Sequence, residues 1–155
     1  MSKSSEYPRT LYIAGPLFSL AERGYIESLA AELGKLLPGC RFKLPHLYAA
    51  SIADRPDFNE RVFAWCLAEA RTSDAVVAIL DGADADSGTC VEMGAVYGSV
   101  PIVGVRTDFR ASEDRGLNLM VSKVCTELIL LPATGVTVQQ VAARIAEAVG
   151  RLRPR

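Results

Sequence analysis

The stretch Asp74–Gly98 reads DAVVAILDGADADSGTCVEMGAVYG and contains three successive patterns. Its first part, Ala75–Leu80, is a short apolar run, partly β-branched and bounded by aspartates, which predicts a strand covered on both faces. An acidic segment follows, and then Ser87 and Gly88, which are typical of a helix start. Apolar residues recur at helical spacing after them, namely Val91, Ala95 and Val96. The stretch therefore predicts a buried strand, an acidic loop and a helix.

Strand-like and helix-like patterns alternate on both sides of this stretch. Short apolar runs predict further strands at Thr10–Ala14, Arg41–Leu44, Pro101–Val105 and Val124–Leu131. Helical spacing predicts helices after Ser19, from about Phe58 to Arg71, and from Val138 onward. This alternation favours an α/β fold, a flavodoxin-like (Rossmann-like) three-layer sandwich with a five-stranded parallel sheet. In such folds ligands bind beyond the carboxyl ends of the strands, so the loops after Ala14, Leu80 and Val105 are the candidate site loops.

Two local signals refine this outline. Ser19, with Glu22 three residues later, forms a capping-box pattern at the start of the first helix. The segment 45–60, PHLYAASIADRPDFNE, is polar and has no clear period, so it is interpreted as a lid loop. His46, the only histidine, falls in this segment and fits a surface residue or a side chain that stacks on a base.

Composition limits the classes of function. A chain of 155 residues fits a single domain, expected over 1–155 with an ordered core of about 10–150. No apolar segment approaches the length of a membrane span, so a soluble cytoplasmic protein is expected. A net charge of −1 without a basic stripe argues against a nucleic-acid polymer as partner. Neither a metal nor a cofactor is expected. The cysteines lack metal-ligand spacing and are interpreted as reduced core thiols, at Cys40, Cys66, Cys90 and Cys125.

The acids of the central stretch suggest one chemistry among several. Glu92 follows the helix start by less than two turns, where backbone amides favour an ionised carboxylate and hence a nucleophile. Asp86 lies six positions earlier, so both can face one cleft. Two neighbouring carboxylates suit glycosidic-bond cleavage, one attacking the anomeric carbon while the other supplies a proton. A solvated acidic turn before a surface helix fits equally well, whereas a calcium loop lacks its distal glutamate.

Four segments in order narrow this choice: LYIAGPLF from Leu11, SDAVVAIL from Ser73, DSGTCVEMG from Asp86, and GLNLM ending at Met120. Together they resemble the nucleoside 2-deoxyribosyltransferase family. The resemblance covers about two thirds of the chain, and the combination is specific where each segment alone is weak. It implies transfer of 2-deoxyribose between nucleobases by a retaining ping-pong mechanism, with some nucleoside hydrolysis. Deoxynucleosides and free nucleobases would be the partners.

The resemblance also implies a role for each matching residue. Glu92 would be the nucleophile that forms a covalent deoxyribosyl enzyme, and Tyr12 would position it. Asp86 would contact the base and mediate its protonation, while Asp74 would hold the base or the acid network. Asn118 would reach a neighbouring subunit's site, which implies a homo-oligomer, a dimer or hexamer, with shared active sites. The substrate-contact candidates are Gly15, Phe18, Ser87, Gly88, Asn118 and Met120.

Alternatives remain open for individual residues and for the reaction. From the residues alone, Tyr12 also fits a core tyrosine, Asp74 a helix cap or strand start, and Asn118 a helix cap. A related class hydrolyses 2′-deoxynucleoside 5′-monophosphates with the same glutamate. Such an enzyme needs phosphate donors after the first strand, where this chain has GPLF with Arg23 as the only nearby cation. A non-catalytic flavodoxin-like nucleotide-binding module is less favoured. Such a module needs acidic residues or a hydroxyl-rich phosphate-binding loop at the end of the first strand, and this chain has neither at that position.

Overall fold

A five-stranded parallel sheet forms the centre of the protein, in a computed structural model that describes residues 8–110, 117–131 and 134–152. The strands are β1 Thr10–Ala14, β2 Arg41–Lys43, β3 Ala75–Ile79, β4 Ile102–Arg106 and β5 Glu127–Leu130. Their spatial order is β2-β1-β3-β4-β5, and all neighbours are parallel. The predicted flavodoxin-like sandwich is therefore confirmed. Part of the polar segment predicted after β4, and the last residues of the basic tail, lie outside the described residues.

Helices cover both faces of the sheet. They are α1 Leu20–Leu36, α2 Pro45–Ser51, α3 Phe58–Thr72, α4 Ser87–Val96, α5 Leu119–Val124 and α6 Val138–Arg151. Alternation along β1 separates two cores, because successive side chains of a strand point to opposite faces. Leu11 and Ile13 pack with α1 and α6, whereas Tyr12 and Ala14 pack on the side of α3 and α4. The second of these cores leads to the candidate site.

The capping signals are confirmed in detail. The Ser19 hydroxyl accepts a hydrogen bond from the backbone N–H of Glu22 at 3.1 Å, and the Glu22 carboxylate accepts one from the Ser19 N–H at 2.6 Å. A second capping box, formed by Thr137 and Gln140, begins α6. These contacts satisfy backbone donors that a helix start otherwise leaves unpaired.

Two sequence-based expectations were wrong, and a third was confirmed with one addition. Part of the expected lid loop is helix α2, whose first residue is Pro45, a position where proline loses no helical hydrogen bond. Residues 119–124 form α5, so the fifth strand starts only at Glu127. In α4 the buried residues are Thr89, Met93 and Val96, while Val91 is 58% exposed. The helix is confirmed, and of the apolar residues that predicted it only Val96 belongs to its buried face.

Three further observations concern the helices, the histidine and the cysteines. Within residues 8–110, 117–131 and 134–152, none of the helices combines the length and apolarity that a membrane crossing requires. His46, for which the sequence left open a surface position or stacking on a base, has a largely buried side chain, and its Nε2 lies 2.9 Å from Oε1 of Glu27 on α1. The four cysteines are free thiols and each is partly buried, and three of them, Cys40, Cys66 and Cys125, pack against the buried clusters.

Candidate active site

A hydrogen bond between Tyr12 and Glu92 forms the centre of the candidate site. The side chain of Tyr12 is fully buried, and its hydroxyl donates to Glu92 Oε1 at 2.6 Å. Glu92 is half-buried on α4, one residue before the inward-facing Met93. Strand β1 and helix α4 thus bring together two residues that lie 80 positions apart in the sequence. A bond this short to a carboxylate is typical of a charge-assisted hydrogen bond.

Opposing effects act on the charge of Glu92. Burial, the largest effect, raises the pKa of the Glu92 carboxyl, and repulsion from Asp86 raises it further. The hydrogen bond from Tyr12 lowers the same pKa, as does the neighbouring Cys66 thiol, and both partly offset burial. The sequence suggested that the helix start holds Glu92 ionised. In the structure burial opposes this effect, so the helix start alone does not keep the carboxyl group ionised. Burial and the proximity of Glu92 also raise the pKa of the Tyr12 hydroxyl, so Tyr12 keeps its proton and donates a hydrogen bond at neutral pH.

Asp86 is the N-cap of α4. Its Oδ2 accepts hydrogen bonds from the Thr89 N–H at 2.8 Å and from the Thr89 hydroxyl at 3.0 Å. Ser87 and Gly88 are the exposed first residues of the helix. A Cβ atom at Gly88 would lie 3.2 Å from Asp86 Oδ2, so glycine here leaves room for the carboxylate. The positions of Asp86, Ser87 and Gly88 thus depend on one another.

A polar network joins the acidic loop to the loop after β4. The Asp81 carboxylate accepts hydrogen bonds from the backbone N–H groups of Thr107 and Asp108, at 2.5 and 2.9 Å, and from the Thr107 hydroxyl at 2.6 Å. Arg106 is 3% exposed and donates to the carbonyls of Leu80, Gly82 and Arg110. Asp81 therefore has a structural role, and the loop carrying Asp86 is fixed at its base.

The loop after β1 borders the same edge of the sheet. A Cβ atom at Gly15 would approach Ile79 Cβ to 3.1 Å, so glycine permits the close packing of this loop on β3. The Arg23 guanidinium donates to the carbonyls of Leu17 and Phe18, both at 2.9 Å. The Phe18 side chain is 79% exposed. Arg23 thus stabilises the loop through its backbone, and Phe18 is left accessible.

Asp74 requires a correction. Its Oδ2 accepts hydrogen bonds from the N–H groups of Arg9 and Thr10, both at 2.8 Å, and from the Thr10 hydroxyl at 3.0 Å. Thr10 begins β1 and Asp74 directly precedes β3, so these contacts lie at the amino ends of the strands. The loops of Gly15 and Asp86 follow the carboxyl ends instead. Asp74 therefore fastens two strands and does not join the acids near Glu92.

Asn118 and Met120 belong to the start of α5. The Asn118 side-chain oxygen accepts a hydrogen bond from the Met120 N–H at 2.9 Å, which is the helix-cap arrangement that the sequence left open. Met120 is 71% exposed and Leu119 is 55% exposed. The start of α5 therefore presents a polar cap beside two accessible apolar side chains.

The sequence did not single out three neighbours of the Tyr12–Glu92 pair. Cys66 lies on α3, where burial raises the pKa of its thiol and the nearby Glu92 raises it further. The Trp65 ring lies 6.3 Å from the Tyr12 ring and stacks on Tyr48 of α2 with centroids 4.5 Å apart. For Trp65 and Cys66 the only available signal was their place in a predicted helix, which is equally typical of core residues, and Tyr48 fell in the segment predicted as a loop. In the described part of the chain, no three acidic, histidine or cysteine side chains converge as a metal site would need.

Comparison with known proteins identifies the family. Residues 11–120, more than half of the chain, match the model of the nucleoside 2-deoxyribosyltransferase family. The chain belongs to this family. Glu92, Tyr12 and Asp86 all lie within the matched segment. A search of curated proteins found no match.

Solved structures share the fold of this nucleoside 2-deoxyribosyltransferase family member. A conserved protein from Enterococcus faecalis V583 superposes with a TM-score of 0.72 at 24% identity, covering 90% of this chain and 98% of the other. A 2-deoxyribosyltransferase from the psychrotolerant bacterium Bacillus psychrosaccharolyticus gives a TM-score of 0.68 at 20% identity, covering 94% and 98%. At these identities the likeness concerns the fold.

Proposed function

We propose that this protein transfers 2-deoxyribose between nucleobases, with Glu92 as the nucleophile of a covalent intermediate. The observation that carries the proposal is the 2.6 Å hydrogen bond from the Tyr12 hydroxyl to Glu92, inside the segment that matches the family. The bond fixes one carboxylate oxygen and leaves the other available for attack. Burial destabilises the negative charge of the Glu92 carboxylate. Attack on the sugar removes this charge, because the ester that forms on Glu92 is neutral.

The proposed reaction has two displacements. The Glu92 carboxylate attacks C1′ of the deoxynucleoside, the N-glycosidic bond breaks, and its electron pair goes to the base nitrogen, which takes up a proton. A second base then attacks C1′ from the opposite side, loses a proton and regenerates the carboxylate. Two inversions give net retention. Water in place of the second base gives hydrolysis.

Asp86 is proposed to contact the base and mediate its protonation. Its pairing with Thr89 through Oδ2 holds the carboxyl group at the start of α4, near enough to Glu92 to raise the pKa of that residue. Two neighbouring acids can take separate tasks, so Glu92 is proposed as the nucleophile and Asp86 as the residue that takes part in proton transfer. The exposed Ser87 and Gly88, with Gly15 and Phe18 across the edge of the sheet, are proposed to border the substrate.

Unphosphorylated nucleosides are proposed as substrates in preference to the 5′-monophosphates. Asp86 already caps α4, and its negative charge opposes a phosphate at that helix start. Arg23 is engaged with two backbone carbonyls of the β1–α1 loop. Monophosphate hydrolysis is the alternative reaction, and it would require phosphate donors other than these.

A homo-oligomer with shared sites is also proposed. Exposed apolar side chains lie on three helices of one side of the molecule: Phe63 on α3, Val91 on α4, and Leu119 and Met120 on α5. A second copy of the chain would remove this apolar surface from water. It would also bring an Asn118 toward a neighbouring Glu92, as the family resemblance implies.

The reaction is tested by incubating the pure protein with deoxyadenosine and free cytosine, and separately with deoxyadenosine monophosphate alone. Chromatography should show deoxycytidine in the first mixture. Adenine released only from the monophosphate would favour the hydrolase, and no product in either would refute glycosyl chemistry.

The residue roles are tested with paired variants. Glu92→Gln should abolish turnover, and mass spectrometry of the acid-quenched native enzyme should find a deoxyribosyl group on the peptide containing Glu92. Asp86→Asn keeps an N-cap acceptor for Thr89 but cannot transfer a proton, so it should lower kcat by about 100-fold or more. Asp84→Asn, an exposed acid of the same loop, is the matched control and should retain activity. Equal activity of both aspartate variants would remove Asp86 from the mechanism.

A further inference from the structure

We propose that His46 is a positioning residue, whose hydrogen bond to Glu27 of α1 fixes helix α2 beside the candidate active site. The effect on catalysis rests on the proposed function, but the contact itself does not. His46 is the second residue of α2, its side chain is 8% exposed, and its Nε2 lies 2.9 Å from Glu27 Oε1. Because a carboxylate only accepts hydrogen bonds, Nε2 is the donor in this contact.

Helix α2 depends on other elements for its position. It has seven residues, and no side chain caps its first turn. A helix this short is not stable in isolation, so contacts with neighbouring helices must hold it in place. It packs on α3, and the hydrogen bond from His46 connects it to α1. Glu27 therefore ties the start of α2 to a second helix.

The burial of the His46 ring indicates that the Nε2 contact has a purpose. Nδ1 is buried as well, and it has no hydrogen-bond partner in the described part of the chain. An unpaired buried polar atom costs free energy, so packing alone would favour an apolar ring at this position. A phenyl ring, however, could not donate to Glu27. The hydrogen bond is thus what distinguishes histidine here from a simple core residue.

The same short helix carries Tyr48, two residues after His46. The rings of Tyr48 and Trp65 are stacked, with centroids 4.5 Å and planes 5° apart. The Trp65 ring in turn lies 6.3 Å from the ring of Tyr12, whose hydroxyl donates to Glu92. A shift of α2 would uncover one face of Trp65 and loosen the packing beside Tyr12. His46 thereby acts on the catalytic pair through two stacked rings, without touching it.

The first test requires no turnover, and it uses Trp65, the only tryptophan of the chain, as its reporter. His46→Phe keeps a ring while it removes the donor and the unpaired nitrogen, so the fold should tolerate it. Its tryptophan emission should shift to longer wavelength, and quenching by acrylamide should rise, because Tyr48 no longer covers the indole firmly. Glu27→Ala, which removes the partner on α1, should give the same change.

Three further variants make this readout specific. His46→Gln places an amide donor near the position of Nε2 and should restore the native emission. Tyr48→Leu should reproduce the shift by itself, and adding His46→Phe to it should cause no further change. Glu32→Ala is the matched control, because this carboxylate of α1 accepts hydrogen bonds from Lys35 and Gln139 instead.

The second test measures kcat and KM for deoxyribosyl transfer by the same variants. His46→Phe and Glu27→Ala should lower kcat about threefold to tenfold, with a smaller change in KM, because a small displacement of the reacting groups slows the chemical step. His46→Gln should recover most of this loss. A role in stability alone would lower Tm and leave kcat unchanged.

The outcomes separate this inference from the proposed function. Native emission in both His46→Phe and Glu27→Ala would overturn the inference, whether or not the protein is an active transferase. An equal shift in Glu32→Ala, or an unchanged kcat in an active enzyme, would overturn it too. A shift confined to the His46 and Glu27 variants, in a protein without glycosyl-transfer activity, would support the link from His46 to Trp65 and refute the proposed function alone.

Discussion

Replacing Glu92 with glutamine should make the folded protein more stable at neutral pH. Burial raises the pKa of the Glu92 carboxyl above its ordinary value, so the folded protein binds this proton more tightly than the unfolded chain does. The stability that the proton contributes is present in full below the ordinary pKa and is lost as the pH rises through the raised one. At neutral pH native Glu92 is therefore a destabilising residue, and a neutral side chain of the same shape removes the cost.

The size of the stabilisation depends on which contacts of Glu92 the glutamine side chain keeps. Glutamine retains an acceptor oxygen for the Tyr12 hydroxyl, which now lies 2.6 Å from Glu92, and it removes the repulsion by Asp86. Relief of an unfavourable charge at a functional site is typically worth about 1 kcal/mol. For a chain of 155 residues this corresponds to a rise in Tm of about 2–4 °C.

Thermal unfolding measured by circular dichroism between about pH 4 and pH 8 tests this reasoning. The difference in Tm between Glu92→Gln and the native protein should be near zero at the acidic end and grow toward higher pH. Glu147→Gln changes a surface carboxyl of α6 and should give no such trend. A Glu92→Gln protein that is less stable than the native one at about pH 8, or a difference independent of pH, would refute the assignment of a raised pKa.

Three other substitutions test separate parts of the structure. Tyr12→Phe removes the hydrogen bond to Glu92 and should lower kcat/KM about 10- to 100-fold, most strongly at acidic pH, and a pH-independent loss would contradict its effect on ionisation. Phe63→Glu charges the exposed face of α3 and should yield a smaller species in size-exclusion chromatography, whereas Leu36→Glu on α1 should not; identical elution of both would argue against that interface. Arg106→Met leaves three carbonyls without their buried donor and should lower the free energy of unfolding by about 3 kcal/mol in urea titrations, and a loss below about 1 kcal/mol would show that the loops hold without it.

The parts of the fold that rest on local patterns could be predicted from the sequence. The strand at Thr10–Ala14 was predicted with its observed bounds, because a continuous apolar run is typical of a strand buried on both faces and its length marks where the strand ends. The Ser19–Glu22 capping box was predicted because both partners lie within one helical turn. Helix α2 was missed because it has only seven residues, and its packing depends on Tyr48 stacking on Trp65, a residue from another element.

The site was only partly accessible to the same reasoning. Spacing suggested Glu92 and Asp86 as a pair, and the resemblance added Tyr12, which the structure places against Glu92. Asp74 was misjudged because an aspartate before a strand looks the same whether it faces a ligand or, as here, ties two strands at their amino ends. Cys66 was not recognised as a neighbour of this pair, since its place depends on the packing of α3 against α4 and against the cluster that contains Tyr12, which no local pattern encodes.

The arrangement around Asp86 has a consequence for attempts to redesign the base preference. The residue proposed to meet the base also starts α4, and Gly88 leaves room for its carboxylate. A library that varies Asp86 or Gly88 would lose many members to poor folding before any could be scored for a new substrate. Phe18 offers a better position for diversification, because its side chain is 79% exposed and its loop is fixed through backbone carbonyls by Arg23. Changes of side chain at Phe18 should therefore be tolerated by the fold, which allows altered selectivity to be sought without prior stabilisation.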